Sequence, residues 1–301
     1  MSIRPTKKLV TAVPTIEGAG VHLRRAFGFG DTGDTDPFLL FDDFRNDRPD
    51  DYLAGFPWHP HRGIETITYV LAGNVEHGDS LGNTGSLGAG DVQWMTAGSG
   101  IIHQEMPHGD EKGRMHGFQL WANLPASLKM TRPRYQDVTS ADIPEVVDDD
   151  ETRVRIICGS FWGAAGPVDG VAAEPQYLDV WVPPLTKKRL PVETTRHAFA
   201  YVFSGSGSFG NASDPRPVAT ETVGRPEITI PSEIGDRSLV IFDRGDEVVI
   251  DSGEEGIRFL LVSGKPLGEP VAWAGPIVMN TDAELRQAFA EYRDGTFLKH
   301  K

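Results

Sequence analysis

Cysteine is almost absent from this 301-residue chain, where Cys158 stands alone. A lone thiol excludes an internal disulfide and any zinc cluster built from cysteines. It closes the apolar run Arg153-Val-Arg-Ile-Ile-Cys158, where a buried small hydrophobe is the expected role and a reactive thiol is not. Long apolar runs are missing as well. Nothing approaches the roughly 20 residues of a membrane-spanning helix, and Lys7 and Lys8 are followed by no apolar signal segment. A cytoplasmic location with no membrane contact is therefore expected. Positive charge is also in short supply. With 29 Lys and Arg against 43 Asp and Glu, the net charge is −14. Direct, charge-driven binding to nucleic acid needs a basic face, and the densest basic cluster is only Lys187-Lys188-Arg189. Helical periodicity is scarce too, and no amphipathic pattern lasts beyond about two turns until the C-terminus.

Glycine (34) and proline (22) are plentiful and punctuate short β-rich runs. Such runs occur at Val21–Phe27, Phe38–Phe44, Glu65–Ala72, Asp91–Thr96, Gly117–Ala122, Val154–Gly159, Leu178–Val182, Phe199–Ser204, Ser238–Asp243, Glu247–Asp251 and Ile257–Val262. Enrichment in Val, Ile and aromatics between turn residues predicts an all-β chain. Near the end, Thr281-Asp-Ala-Glu284 is a capping box, and Leu285, Ala288, Phe289 and Tyr292 follow at helical spacing. That predicts a short helix over about 282–294.

The length suggests two domains. The polar stretch that ends in Asp148-Asp-Asp-Glu151 reads as a solvated linker over 136–151, because it lacks calcium-loop spacing. It separates an N-terminal domain, 1–135, from a C-terminal domain, 152–301. The halves echo each other: Tyr69-Val-Leu-Ala-Gly73 returns as Tyr201-Val-Phe-Ser-Gly205, and Gly90-Asp91 as Gly245-Asp246. Strand-then-glycine motifs of this kind suit two tandem jelly-roll type β-barrels.

Nine histidines remain to be explained. In Trp58-His59-Pro-His61 the two imidazoles share one face of an extended segment, about 7 Å apart. Further on, His103-Gln-Glu105 repeats the same spacing. On a neighbouring strand it would complete a set of three imidazoles and one carboxylate. That set suits a single divalent first-row ion (Fe, Mn, Ni, Cu or Co) with positions left open for substrate. His77 and His108 read as surface residues. His116 either joins the metal shell or caps its strand. One or two of Phe56, Trp58, Trp94 and Met95 could line an aromatic pocket, though any barrel core needs such residues. Gly28-Phe-Gly30 and Gly205-Ser-Gly207 lack the helix and Gly-Lys-Ser of a phosphate loop.

The run His59-Pro-His61-Arg-Gly-Ile-Glu65-Thr, followed by Gly90-Asp-Val-Gln-Trp94-Met-Thr-Ala-Gly98 and His103-Gln-Glu105-Met-Pro107, resembles the pirin family of the cupin superfamily. The resemblance extends to Asp36-Pro-Phe-Leu-Leu-Phe-Asp-Asp-Phe44, Gly264-Lys-Pro-Leu and Gly275-Pro-Ile-Val-Met-Asn-Thr281, and is weakest over about 205–240. It implies two tandem cupin barrels with one metal, usually Fe(II), held in the N-terminal domain by His59, His61, His103 and Glu105. General cupins place the acidic ligand at the spacing of Glu65, so the sequence offers two candidates for it. The pirin resemblance favours Glu105 with Glu65 adjacent, and either Glu105 or Glu65 is a candidate for the catalytic proton acceptor. Matching the halves puts Pro191, Glu193 and His197, then Arg258 and Leu260, at the corresponding C-terminal positions, and no ligand set is expected there. The resemblance implies one of two functions. One is a dioxygenase that opens a small aromatic flavonol such as quercetin with O₂, releasing carbon monoxide. The other is a metal- or redox-dependent regulator of a protein partner such as a transcription factor or metabolic enzyme.

Overall fold

Alternating apolar residues and glycine turns give antiparallel strands throughout the computed structural model, which describes residues 1–210 and 233–300. Most of the stretch where the family resemblance is weakest therefore lies outside the described residues. In the first domain, seven strands run in the order Arg134–Val138, Val92–Thr96, Ile64–Ala72, His116–Asn123, Phe38–Asp43, Val21–Phe27 and Val13–Glu17. A second sheet carries Phe56–His61, Ile101–His108, Asn74–Asp79 and Thr84–Leu87. The two sheets enclose the barrel interior, as the jelly-roll reading expects. Strand alternation assigns each side chain of the larger sheet either to that interior or to the opposite face.

The second domain is built on one eight-stranded sheet. The two runs expected at 247–251 and 257–262 are a single strand, Glu247–Gly264, which pairs with Gln176–Val182, Lys187–Pro191 and His197–Phe209. Its interior is filled by Val154, Ile156, Leu178, Val180, Val202, Ile250 and Phe259. None of these side chains carries a metal-ligating atom. The helix spans Asp282–Arg293 and is closed by the expected Thr281–Glu284 capping box.

Between the domains, the stretch 136–151 is shared out. Arg134–Val138 pairs with Val92–Thr96, while Glu145–Val147 pairs with Arg153–Cys158. Lys188 reaches the acidic run and pairs with Asp148 and Asp150. The chain ends also cross over. Thr6–Thr11 joins the second domain's sheet beside Ser238–Phe242, and Ile277 bridges back to Arg62 of the first domain.

The outer face of the seven-stranded sheet packs on the second domain through Phe41, Tyr69, Phe118, Tyr177, Phe199 and Tyr201, with Cys158 buried among them. The two echoed tyrosines make reciprocal contacts here. Tyr69 donates to Asp179 (2.7 Å), which Arg258 grips through Nε and Nη2 at 2.9 and 2.6 Å. Tyr201 donates to Asp43 (2.7 Å), which Arg45 grips in turn at 2.8 and 2.6 Å. Each hydroxyl thus completes a buried carboxylate of the opposite domain, and a buried carboxylate stripped of a donor is costly. Tyr69→Phe and Tyr201→Phe are each expected to lower stability by about 1.5–3 kcal/mol, read as a lower urea midpoint. An unchanged midpoint would remove the clasp from the account.

Candidate metal centre

The strand Phe56–His61 pairs antiparallel with Ile101–His108, which sets His103 directly opposite His59. The i, i+2 spacing aims His59 and His61 to one side, and the three rings converge with centroids 4.4 to 5.0 Å apart. One ligand atom from each of the three lies within 4.8 Å of the others.

Their hydrogen bonds fix what the ring nitrogens can do. His59 Nδ1 donates to the Pro57 carbonyl (2.8 Å) and His61 Nδ1 to the Pro276 carbonyl (3.2 Å). Each ring is thereby held as the tautomer whose Nε2 carries a lone pair. Those two Nε2 atoms face each other at 3.1 Å. Two neutral imidazoles so arranged repel unless a cation lies between them. A shared proton is a poor solution, because burial drives the pKa of His61 and His103 well below the ordinary histidine value. His103 adds a second sign, since both of its ring nitrogens are buried without a protein partner. Two ligands at right angles on an ion with bonds of about 2.1 Å stand about 3.0 Å apart, close to the spacing found. The residues fit a metal ion.

Glu105 lies beside the cluster, its Oε2 4.0 Å from His103 Nε2. A bulge in the pairing between His103 and Glu105 re-aims it. Burial raises its pKa, opposed by the neighbouring His59 and by Thr68. The Thr68 hydroxyl lies 3.2 Å from Glu105 Oε1 and 2.7 Å from Gln119 Oε1. It has one proton for two acceptors. That proton can serve Glu105 when the carboxylate is ionised, and Gln119 when Glu105 holds a proton of its own.

A cavity of about 540 Å³ opens onto His59, His61 and Glu105, with His103 behind them. Its walls are mostly apolar and include six aromatic side chains. Trp121 stands edge-on to His61 at 5.1 Å, and Trp273 pairs with the exposed Phe29 at the mouth. The C-terminal segment forms part of this wall. Gly63 takes a positive φ of 78°, and a side chain there would run into the Val278 carbonyl. The buried Lys129 amine holds the same segment by donating to Gly63 O (2.8 Å), Asn123 and Val278 O (2.9 Å), and burial lowers its pKa to about 7. Arg62 adds bonds to Glu291 and to the Phe297 carbonyl, each at 2.7 Å.

Two expectations change, for Glu65 and His77, and two left open, for His116 and the four aromatics, are resolved. Glu65 is not at the site. It shares a strand face with Ile67 and Tyr69 and turns toward the second domain, where it accepts from Thr96 at 2.7 Å. Thr68, on the other face, is the residue that meets Glu105, so Glu65 lies on the opposite side of the sheet from the histidines. His77 is not a surface residue but 7% exposed, 3.0 Å from Gln93 and stacked near Tyr135. His116 pairs with Asp47 at 2.6 Å and takes no part in the cluster. Of the four aromatics, Phe56 lines the cavity and Trp58 points outward. Trp94 belongs to the interdomain core, and Met95 to a small cluster under the sheet. His108 is exposed, as expected, near Glu76. Thr68, Gln119, Trp121 and Trp273 escaped the sequence reading. The first three could have been found from the alternation of their strands, whereas Trp273 and Pro276 arrive from some 215 residues away.

In the second domain, Arg258 is spent on Asp179 and Leu260 is buried in the interdomain core. Among the described residues, only His59, His61 and His103 form a three-residue metal-type cluster.

The chain matches known proteins over both of its domains. The Pirin family model matches residues 20–122, and the model of the pirin C-terminal cupin domain matches residues 177–298. A pirin-like protein of Caulobacter vibrioides is 43% identical over 298 residues, covering 99% of this chain and all of its own. A quercetin 2,3-dioxygenase from Acinetobacter baumannii superposes with a TM-score of 0.84 at 30% identity, over 98% of both chains. An Escherichia coli pirin solved in complex with nickel(II) shares the fold, with a TM-score of 0.63 at 18% identity over 86% of this chain and 99% of its own.

His103→Ala is expected to lose bound metal while keeping its circular dichroism spectrum, because neither apolar core involves the cluster. An unfolded variant would make the ion structural. The depressed histidine pKa values set the pH response. Protons compete poorly for nitrogens whose pKa lies well below 6.5, so metal content should hold at pH 6 and fall only at lower pH. In the metal-free protein the unfolded chain binds those protons first, so stability should decline as pH drops through about 6.5. Metal loss already complete at pH 6 would contradict the burial argument.

Proposed function

This chain belongs to the pirin family, a group of two-domain cupins, and on that premise we propose that it is a mononuclear metal dioxygenase that opens flavonols of the quercetin type. His59, His61, His103 and Glu105 would hold one ion, for which Fe(II) is our choice, and the same donors accept Mn, Ni, Co or Cu. When bound, such an ion supplies Lewis acidity toward an enol oxygen and a redox couple for O₂.

The chain's own residues do the rest. The aromatic walls at Trp121, Trp273 and Phe56 take a flat polycyclic ligand and exclude water from around it. Glu105 accepts the proton of the ring hydroxyl next to the carbonyl. Its raised pKa suits that task, because a buried carboxylate holds a proton more readily than an exposed one. Thr68 then turns its own proton to Gln119 and accepts from the newly protonated Glu105, which keeps the acid oriented. Deprotonation leaves an electron-rich ring for attack by O₂ and loss of one ring carbon as carbon monoxide.

The observation that carries this reading is the cavity. A roughly 540 Å³, mainly apolar chamber that ends at two imidazoles and a buried carboxylate is sized for a small organic ligand. A protein using its ion only to tune a surface would need no more than a water-sized opening. The neighbouring quercetin 2,3-dioxygenase supports the same substrate class.

Iron-loaded protein should therefore consume quercetin under O₂. Glu105→Gln should lower kcat by about 10²–10⁴, while Glu65→Gln stays near wild type because its side chain faces the other domain. Absence of turnover with Fe, Mn, Ni, Co and Cu alike would overturn the reading. So would a folded Glu65→Gln protein as impaired as Glu105→Gln.

A further inference from the structure

A polar row crosses the floor of the first barrel, on the sheet opposite the histidines. Arg25, Asp42, Gln119, Thr68, Gln93 and Asp137 stand directly opposite one another on six consecutive strands. Side chains paired this way lie about 4.5–5.5 Å apart and share one face of the sheet. Its middle members Asp42, Thr68 and Gln93 are buried and Arg25 and Gln119 half-buried, which costs stability unless the groups are satisfied. Thr68 serves Glu105, and Gln93 holds His77 and Asp137 at 3.0 and 2.9 Å. The other half, Arg25, Asp42 and Gln119, lines the substrate cavity, and of these only Gln119 touches the proton relay, through its Oε1.

The chemistry of this half is specific. Arg25 donates from Nε to Asp42 Oδ1 (2.8 Å) and from Nη2 to Oδ2 (2.7 Å), and its Nη1 pairs with Glu17 at 2.9 Å. A carboxylate offers about four acceptor sites, so this grip leaves Asp42 able to accept two more bonds. Next to it, Gln119 accepts from Thr68 through Oε1, and its amide nitrogen has no protein acceptor among the described residues. The cavity wall thus presents a fixed acceptor beside a free donor. Two strand spacings, about 9.6 Å, separate the strand of Asp42 from that of Thr68, which touches Glu105. A ligand with one end at Glu105 would carry its far ring to this pair.

We propose that Asp42 and Gln119, with Arg25 as a positioning residue, recognise two adjacent phenolic hydroxyls on the ring held farthest from the histidines. One hydroxyl donates to Asp42 and its neighbour accepts from Gln119 Nε2. The assignment rests on the flavonol reading above and adds to it the part of the substrate that is selected.

The test is an anaerobic titration of the iron-loaded protein, read by quenching of Trp121 and Trp273 fluorescence. Three flavonols serve as probes, differing only in outer-ring hydroxyls: quercetin with two, kaempferol with one and galangin with none. The wild type should bind quercetin at least about tenfold more tightly than galangin, because a site built to bond hydroxyls discriminates against a ligand that lacks them. Gln119→Leu and the double variant Arg25→Met/Asp42→Asn should bring the two affinities within about twofold. The double variant leaves no buried charge unpaired and so guards against simple misfolding. The affinity ratio is an internal control that a merely structural defect would not move. Equal wild-type binding of quercetin and galangin, or a preference that survives in both variants, overturns the subsite and leaves the flavonol reading standing. If wild type binds none of the three, both fall.

Discussion

The site depends on a hydrogen bond between residues 215 positions apart, from His61 Nδ1 to the Pro276 carbonyl. It fixes the tautomer of a buried imidazole and so decides that Nε2 presents a lone pair to His59. Everything that keeps Pro276 in place therefore bears on the metal centre. Lys129 clamps Val278, Arg62 takes the Phe297 carbonyl and Glu291, and Gly63 lets the returning chain come within contact distance. The C-terminal tail belongs by sequence to the second domain, yet it closes the first domain's active cavity.

This division of labour explains why two similar barrels have such different interiors. The first spends its inner face on imidazoles, carboxylates and a polar row, all costly to bury. The second fills the same volume with Val, Ile, Leu and Phe, and supplies a stable wall for the outer face of the first. The echoed tyrosines mark where they join. Tyr69 and Tyr201 occupy matching places in their own halves, and each satisfies an aspartate–arginine pair across the interface. Asp42 and Asp43 show the two demands side by side. Strand alternation turns the first into the cavity beside Arg25 and the second to the interface beside Arg45 and Tyr201.

Local patterns were readable in the chain and long-range ones were not. The capping box at Thr281, the i, i+2 histidines and the strand cores depend on neighbours a few residues away, and they fall where the periodicity puts them. Glu65 misled because its spacing from His61 fits a cupin ligand, while its partners on the same strand face, Ile67 and Tyr69, already assign it to the interdomain core. His77 misled because a polar run between glycines reads as surface, although pairing of Asn74–Asp79 with Ile101–His108 turns it inward beside Glu105. Pro276, Trp273 and Lys129 carry no local signal. Their roles come from the tail folding back across the first barrel.

The central claim is that four side chains assembled by this fold hold one ion. It is tested most directly by anomalous diffraction from crystals of the iron-loaded protein, collected on both sides of the iron edge. The account predicts one strong peak per chain, about 2.0–2.2 Å from the Nε2 atoms of His59 and His61, a ring nitrogen of His103 and an oxygen of Glu105. A peak elsewhere, or a fully loaded site in which Glu105 stands outside bonding distance, would contradict it.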